Sequence, residues 1–519
     1  MNKNGRIKNS IRNALVGVVG QIIIVFINFI SRSIFIKFLS TEYLGINGLF
    51  SNILTILSLA ELGVGTAIVS SMYRPIANSD YKKISALMNL YSNVYKIIGL
   101  IIAFTGILLT PFIHIIIKDV GNISNIKIIY LIFLANTVIS YFYAYKRSII
   151  SADQREYINS ICRYICTIIR TTLQIIILYT TKNFILYLIV QVMCTVLENL
   201  FISIKADKMY PFLKEYKKEI LDKNEKNKII KNIKALMIYK VSSVMLDGTD
   251  NIIISAFVGV KSVGLLSNYN LIMSSLNMMV SQVTIAFTAS IGNVTSKENN
   301  DKQIEVFNIL MFITFVLYGI SSIFLLLFLN QFISIWIGEQ YVLDKSTIIV
   351  LVLNYFIYGM QNIIWTYRSA MGLFVYGRFR PIISAIVNVV VSTILAKYIG
   401  MIGVLLGTTI TRVTTNIWYD PIIIFKYGFK RTVKQYYKEY IKYFVSLIIM
   451  IITSSYFLSF ISIESTFISL IKRIIICLII TFITFFIIFS RKYEFKYLIN
   501  NIISKIKIKN KYKIFNYIK

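Results

Sequence analysis

The chain has 519 residues, of which 56% are hydrophobic and only 15% charged, where an average soluble protein carries about 25% charged residues. With a mean hydropathy of +0.70, and with 35 Tyr and 35 Phe against 5 Pro, so much apolar surface has no place in a water-soluble core of this length; disordered and soluble globular classes are excluded. At about 20 apolar residues per crossing, the hydrophobic residues furnish about fourteen membrane spans and leave no material for a large extramembrane catalytic domain.

The first thirteen residues, Met1 to Asn13, are basic and lead into an apolar run from Ala14 to Phe38. That run is too long for a signal-peptide core and reads as an uncleaved first helix. Further candidate spans follow at 45–70, 90–117, 126–149, 158–180, 184–204, 233–258, 264–289, 305–329, 347–371, 381–399, 402–425, 443–461 and 468–490. The class expected is therefore an all-α polytopic membrane protein with fourteen transmembrane helices. The formal charge of +32 is distributed unevenly among the connectors: about forty Lys and Arg residues fall on the side of the N-terminus and about nine on the other, which by the positive-inside rule places both termini in the cytoplasm. The excess then faces the anionic inner leaflet; spread over eight segments, it does not form a nucleic-acid surface. Four cysteines (Cys162, Cys166, Cys194 and Cys477) lie in apolar stretches without CxxC spacing, so neither a disulfide framework nor a zinc site is expected.

An internal repeat emerges at a shift of 219 positions, which lays Phe38 and Gly45 on Phe257 and Gly264, Ile34 on Ile253 and Ile53 on Ile272. Both matched segments are short external links between helices. The repeat divides the chain into an N-terminal lobe of six helices (1–204), a basic cytoplasmic linker (205–232), a second six-helix lobe (233–440), two added helices (441–490) and a basic tail (491–519). Parallel repeats of this kind enter the membrane from the same side.

Polar residues inside the hydrocarbon are costly and normally face a cavity or another helix. In the fifth span Arg163, Thr167, Arg170 and Gln174 recur at i, i+4, i+7 and i+11, one helical face. The seventh carries Lys240, Ser243, Asp247 and Asp250 on one face, and the first carries Gln21, Asn28 and Arg32. The 219 shift maps Gln21 onto Lys240 and Asn28 onto Asp247. The twelfth span adds Thr408, Arg412 and Thr415, and single carboxylates stand at Glu61 and Glu198. Simpler readings accompany each: Arg163 and Lys240 lie near the cytoplasmic surface and can snorkel to the headgroups, while Glu61 and Glu198 can serve interhelical hydrogen bonds. Asp247 and Asp250 either form a structural ion pair with Lys240 and Arg32 or bind a proton or sodium ion. No G-x-x-x-x-G-K-[ST] loop is present, so this chain does not by itself drive transport with ATP. The longest external connector, Asn330 to Ser346, spans about 17 residues, too few for the acceptor domain that membrane polymerases carry, so an enzyme is not expected.

The stretch EYLGINGLFSNILTILSLAELGVGTAIVSSMYRPIANSD from Glu42, with ISYFYAYKRSIISADQREYI and LENLFISIKADKMYPFL further on, resembles the N-terminal part of bacterial Wzx-type polysaccharide transporters of the MOP superfamily. The resemblance covers about the first 300 residues. It implies a MATE-like arrangement of two six-helix lobes plus two C-terminal helices around a cationic cavity, and a flippase for undecaprenyl-diphosphate-linked oligosaccharide in O-antigen or capsule biosynthesis. It further implies the bacterial cytoplasmic membrane as location, membrane lipids and a polysaccharide polymerase as partners, and no cofactor beyond a coupling H+ or Na+. Arg32, Arg163, Arg170, Lys240 and Arg412 are the expected diphosphate-binding residues, and Asp247, Asp250 and Glu61 the expected ion-coupling residues. Cation-coupled drug efflux and lipid II flipping are the alternatives within the same superfamily. The topology predicts that cysteines replacing Asp222 or Asn510 stay unlabelled when intact cells are treated with an impermeant maleimide; labelling of either from outside would reverse the orientation.

Overall fold

The structure is a computed structural model that describes residues 3–61, 64–117, 123, 125–217, 219–297, 299–371, 373, 376, 377, 379–462 and 466–500. These residues form helices and no strand. The long ones are α1 (Lys3–Phe38), α2 (Thr41–Leu57), α3 (Val64–Ala77), α4 (Tyr81–Leu109), α5 (Ile126–Ala152), α6 (Glu156–Thr181), α7 (Phe184–Met209), α8 (Lys223–Phe257), α9 (Val260–Lys297), α10 (Asn300–Ile337), α11 (Lys345–Ala370), α12 (Arg380–Thr411), α13 (Lys434–Leu458) and α14 (Phe467–Phe489). Side-chain oxygens start several of them, satisfying first-turn amides: Asp80 accepts from the Lys83 N–H, Asn299 from Lys302, and Asp344 from Thr347.

Among the described residues, helix lies over each predicted span. By length and composition, nine helices among the described residues can cross a membrane, or ten if one bent pair counts as a single span. The all-α polytopic class is thus established, and the count of fourteen crossings is carried forward as a proposal. Rows of large apolar side chains point outward, including Phe104, Ile115, Phe482 and Ile487, each more than 60% exposed; water would not tolerate surfaces so extensively apolar, whereas lipid does.

Three predicted spans depart from a plain helix, among them 90–117, which passes through a 3-10 turn at Thr110–Phe112. The one at 45–70 is interrupted by a 3-10 turn at Ser58–Glu61, which separates α2 from α3. The one at 402–425 runs from the end of α12 into π-helical turns at Arg412–Asn416 and Ile424–Phe429. Pro421 lies between them and cannot donate a backbone hydrogen bond, so the widened turns absorb the break. Inside α12 the backbone breaks at Ile399 and Gly400, where Gly400 has φ +63°, a region glycine enters without steric cost. The break separates the predicted spans 381–399 and 402–425 and folds one arm onto the other, with the Ser392 hydroxyl donating to the Val404 carbonyl at 3.1 Å.

The chain divides into two compact units. The first comprises Met1–Asn268 and Pro381–Gly407, and the second Tyr269–Arg380 and Thr408–Lys519. In the first, Ile46, Leu49 and Phe50 of α2 pack with Tyr130 and Phe133 of α5. Ion pairs fasten α5 to α7: Lys146 to Asp207 at 2.7 Å and Arg147 to Glu198 at 2.8 Å, with Arg147 also donating to Asn199 at 2.7 Å. Glu198 thus takes the interhelical role open to it in the sequence.

The second unit has an aromatic core in which Phe315 stacks on Tyr443 at 4.6 Å, beside Phe312, Phe485 and Phe489. The Ser454 and Thr481 hydroxyls, 3.2 Å apart, join α13 to α14, and Arg473 of α14 donates to Gln331 of α10 at 2.5 Å. Its most polar feature is fully buried. Arg368 at the end of α11 pairs with Asp420 and donates to the Leu373 and Tyr376 carbonyls. Arg380 reaches the other oxygen of Asp420 at 3.2 Å, and the Trp365 indole donates to it at 3.2 Å. One carboxylate thereby holds two guanidiniums and fixes the α11–α12 connector. Removing one member of such a network leaves buried charge uncompensated, so Asp420→Ala should cost about 3–5 kcal/mol; this is checked by the thermal unfolding midpoint in detergent, and an unchanged midpoint would contradict it.

Candidate functional site

The helices that carry the first and fifth spans pack together within the first unit. Arg32, half-buried near the end of α1, extends its guanidinium to α9, donating to Ser267 Oγ at 2.8 Å and to Asn268 Oδ1 at 3.3 Å. Arg170 is half-buried on α6. Helices α1 and α6, which carry these two arginines, pack against each other. Gln174, one turn beyond Arg170, donates to the Tyr187 carbonyl at 3.2 Å and fixes the backbone there. Arg163 is exposed, with its guanidinium over the neighbouring Tyr164 ring at 5.6 Å. Of the two arginines on the fifth span's stripe, Arg170 is therefore half-buried and Arg163 exposed.

Arg412 belongs to the second unit. It is 9% exposed, donates to the Asn354 carbonyl at 3.1 Å and lies over the Tyr358 ring at 5.2 Å. Lys240 and Asp247 lie on α8 with side chains outside the described residues. Asp250, one turn on from Asp247, is half-buried; beside it Thr249 donates to Asn388 Oδ1 of α12 at 3.1 Å.

Glu61 is the last residue of the 3-10 turn that follows α2. Its two oxygens accept from phenols on different helices: Tyr95 of α4 at 2.7 Å and Tyr141 of α5 at 2.6 Å. Tyr91 in turn donates to Tyr95 at 3.2 Å. The sequence singles out the carboxylate but not these partners, because their separations of 34 and 80 residues follow no helical period. It likewise misses Ser267 and Asn268 as neighbours of Arg32, and Asp420 with Arg368 and Arg380; a carboxylate within the apolar span 402–425 was the available signal for the last. The four cysteines are free, and no group of metal-ligating side chains occurs among the described residues.

The sequence matches no protein-family model and no curated protein. Among solved structures the fold is similar to lipid II flippase MurJ in an inward closed conformation (TM-score 0.63, 15% identity, covering 93% of this chain and 99% of that one). It is also similar to an inward-facing multidrug resistance MATE transporter of the MOP superfamily (TM-score 0.58, 17% identity, 79% and 98% covered), and to a Vibrio cholerae MATE transporter (TM-score 0.56, 11% identity, 83% and 98% covered).

For the carboxylate, hydrogen bonds to a charged acceptor are worth about 1.5–3 kcal/mol each, so Tyr95→Phe and Tyr141→Phe should each lower stability by that amount. Denaturation in detergent measures it, and wild-type midpoints for both variants would show that Glu61 does not depend on the phenols. Nearly the whole length of each of these solved structures is covered, and the chain shares their fold.

Proposed function

We propose that this protein is a flippase that carries undecaprenyl-diphosphate-linked oligosaccharide repeat units across the bacterial cytoplasmic membrane for surface polysaccharide, by ion-coupled alternating access and without covalent chemistry. The observation that carries the proposal is that Arg32 and Arg170 are both half-buried on α1 and α6, membrane helices that pack side by side. An isolated diphosphate cannot enter hydrocarbon about 30 Å thick unpaired. Guanidiniums offer it bidentate, charge-assisted hydrogen bonds at a desolvated site, and the lipid tail stays in the bilayer. Arg412 and Lys240, with Arg163 nearer the surface, complete the cationic set. Glu61, Asp247 and Asp250 bind the coupling proton or sodium ion.

The proposal includes fourteen crossings, cytoplasmic termini, two six-helix lobes with two added helices, and a polysaccharide polymerase as the downstream partner. The MOP-superfamily fold supports a transporter rather than an enzyme. Lipid II flipping would place the same diphosphate on the same arginines, whereas cation-coupled drug efflux leaves the arginine pair without a task.

The test is deletion of the gene, which should trap lipid-linked oligosaccharide on the cytoplasmic leaflet. Re-expression of the wild type should clear it. Arg170→Ala or Arg412→Ala should not, although each protein reaches the membrane, and Lys at either position should restore export only in part. Full export by both Ala variants, or accumulation of lipid II in place of the oligosaccharide, would overturn the assignment.

A further inference from the structure

The 219-residue repeat has a physical counterpart where α2 and α9 cross near their N-termini. A methyl group built on Gly45 would stand 2.0 Å from the Val260 carbonyl oxygen, and one on Gly264 would stand 2.2 Å from the Thr41 carbonyl oxygen and 3.1 Å from the Gly45 nitrogen. The shift maps Gly45 onto Gly264 and Thr41 onto Val260. Each glycine therefore receives the carbonyl that its mate's own helix contributes, and the two contacts are images of each other. Glu42 and Lys261 are also mates, and the Lys261 charge acts on the Glu42 carboxylate. Further along, Arg32 bonds Ser267, while their mates, Asn251 and Gly48, also lie side by side, Asn251 Nδ2 being 3.9 Å from a methyl built on Gly48. Reciprocal contacts between mates are what a twofold axis through the Gly45–Gly264 crossing produces.

We propose that this crossing is a twofold clasp closing the transport route on the non-cytoplasmic side, that it must part in every cycle, and that Ser267 and Asn268 hold Arg32 only while it is shut. The proposal rests on the flippase reading for its cargo. The physical case is that backbone packed this closely has no intermediate position: glycine is required on both helices because any side chain would displace a carbonyl by more than 1 Å, so the contact is either fully made or parted. Both helices start at this point, on the side that the scarcity of lysine and arginine assigns outward. Arg32 provides the asymmetry. Its mate is the neutral Asn251, so one cation of the arginine pair is tied to the closed clasp, and parting α2 from α9 changes the hydrogen bonds available to it.

Gly48 and Val263 provide the test, since a methyl on Gly48 would lie 3.5 Å from Val263 Cγ1, ordinary contact and within reach of a disulfide. In a chain whose four native cysteines are replaced, Gly48→Cys with Val263→Cys should cross-link on oxidation with copper phenanthroline. Export of the lipid-linked oligosaccharide should fall at least tenfold and recover on reduction. Failure to cross-link, or undiminished export by the cross-linked chain, overturns the clasp. A second measurement is independent of cargo. In the same background carrying Asn52→Cys, adding Gly45→Ala or Gly264→Ala should speed labelling by an external impermeant maleimide at least tenfold, and equal rates would overturn the proposal. If no form of the chain exports the oligosaccharide, the flippase reading fails while the labelling result still decides the clasp.

Discussion

An ionised side chain held out of water must find its own compensation, and both units are arranged around that demand. A carboxylate or guanidinium in a low-dielectric interior costs several kcal/mol even after relaxation, and several of these charges are accordingly matched. Asp420 is shared by two arginines and an indole; Glu198 and Asp207 meet Arg147 and Lys146; Glu61 is held by phenols. Arg32 donates instead to a hydroxyl and an amide oxygen, neutral groups that a charged ligand would outbid. A structural cation is locked to its counter-ion, whereas a cation that must take up and release an anion needs weaker neutral partners between turnovers.

The same logic applies to the backbone. In hydrocarbon, helices gain little by burying apolar surface against one another, so association relies on close van der Waals approach through small residues. The Gly45–Gly264 crossing is one such approach between mates of the repeat, and α8 packs on α2 and α3, which groups it with the first compact unit. The division at Asn268 differs from the lobe boundary at 205–232 read from the repeat.

What the sequence disclosed and what it withheld divide along one line. Hydropathy and its interruptions are local quantities, so among the described residues helix lies over each predicted span, and the link at 399–402 appears as a turn at Gly400. Helical periodicity is local as well: it sets Arg170 and Gln174 on one face, where Gln174 meets the Tyr187 carbonyl. The same rule placed Arg163 on that face, but a residue so near the end of its helix turns outward, where its guanidinium rests on Tyr164. Partners on other helices carry no local signature. Nothing in the spacing joins Glu61 to Tyr141 or Arg368 to Asp420, because those pairs exist only once distant segments are packed. The 219 repeat is the exception, a long-range relation written in the sequence, and Gly45 and Gly264, which carry it, are residues whose contacts realise it.

The central claim is that the arginine pair carries a lipid-linked diphosphate through the bilayer, and it is tested most directly with the purified chain in vesicles containing fluorescent undecaprenyl-diphosphate oligosaccharide. Dithionite added outside should bleach the probe from both leaflets when the protein is present and from the outer leaflet alone when it carries Arg170→Ala. Bleaching confined to the outer leaflet with the wild-type protein, under proton and sodium gradients of either sign, would contradict the account.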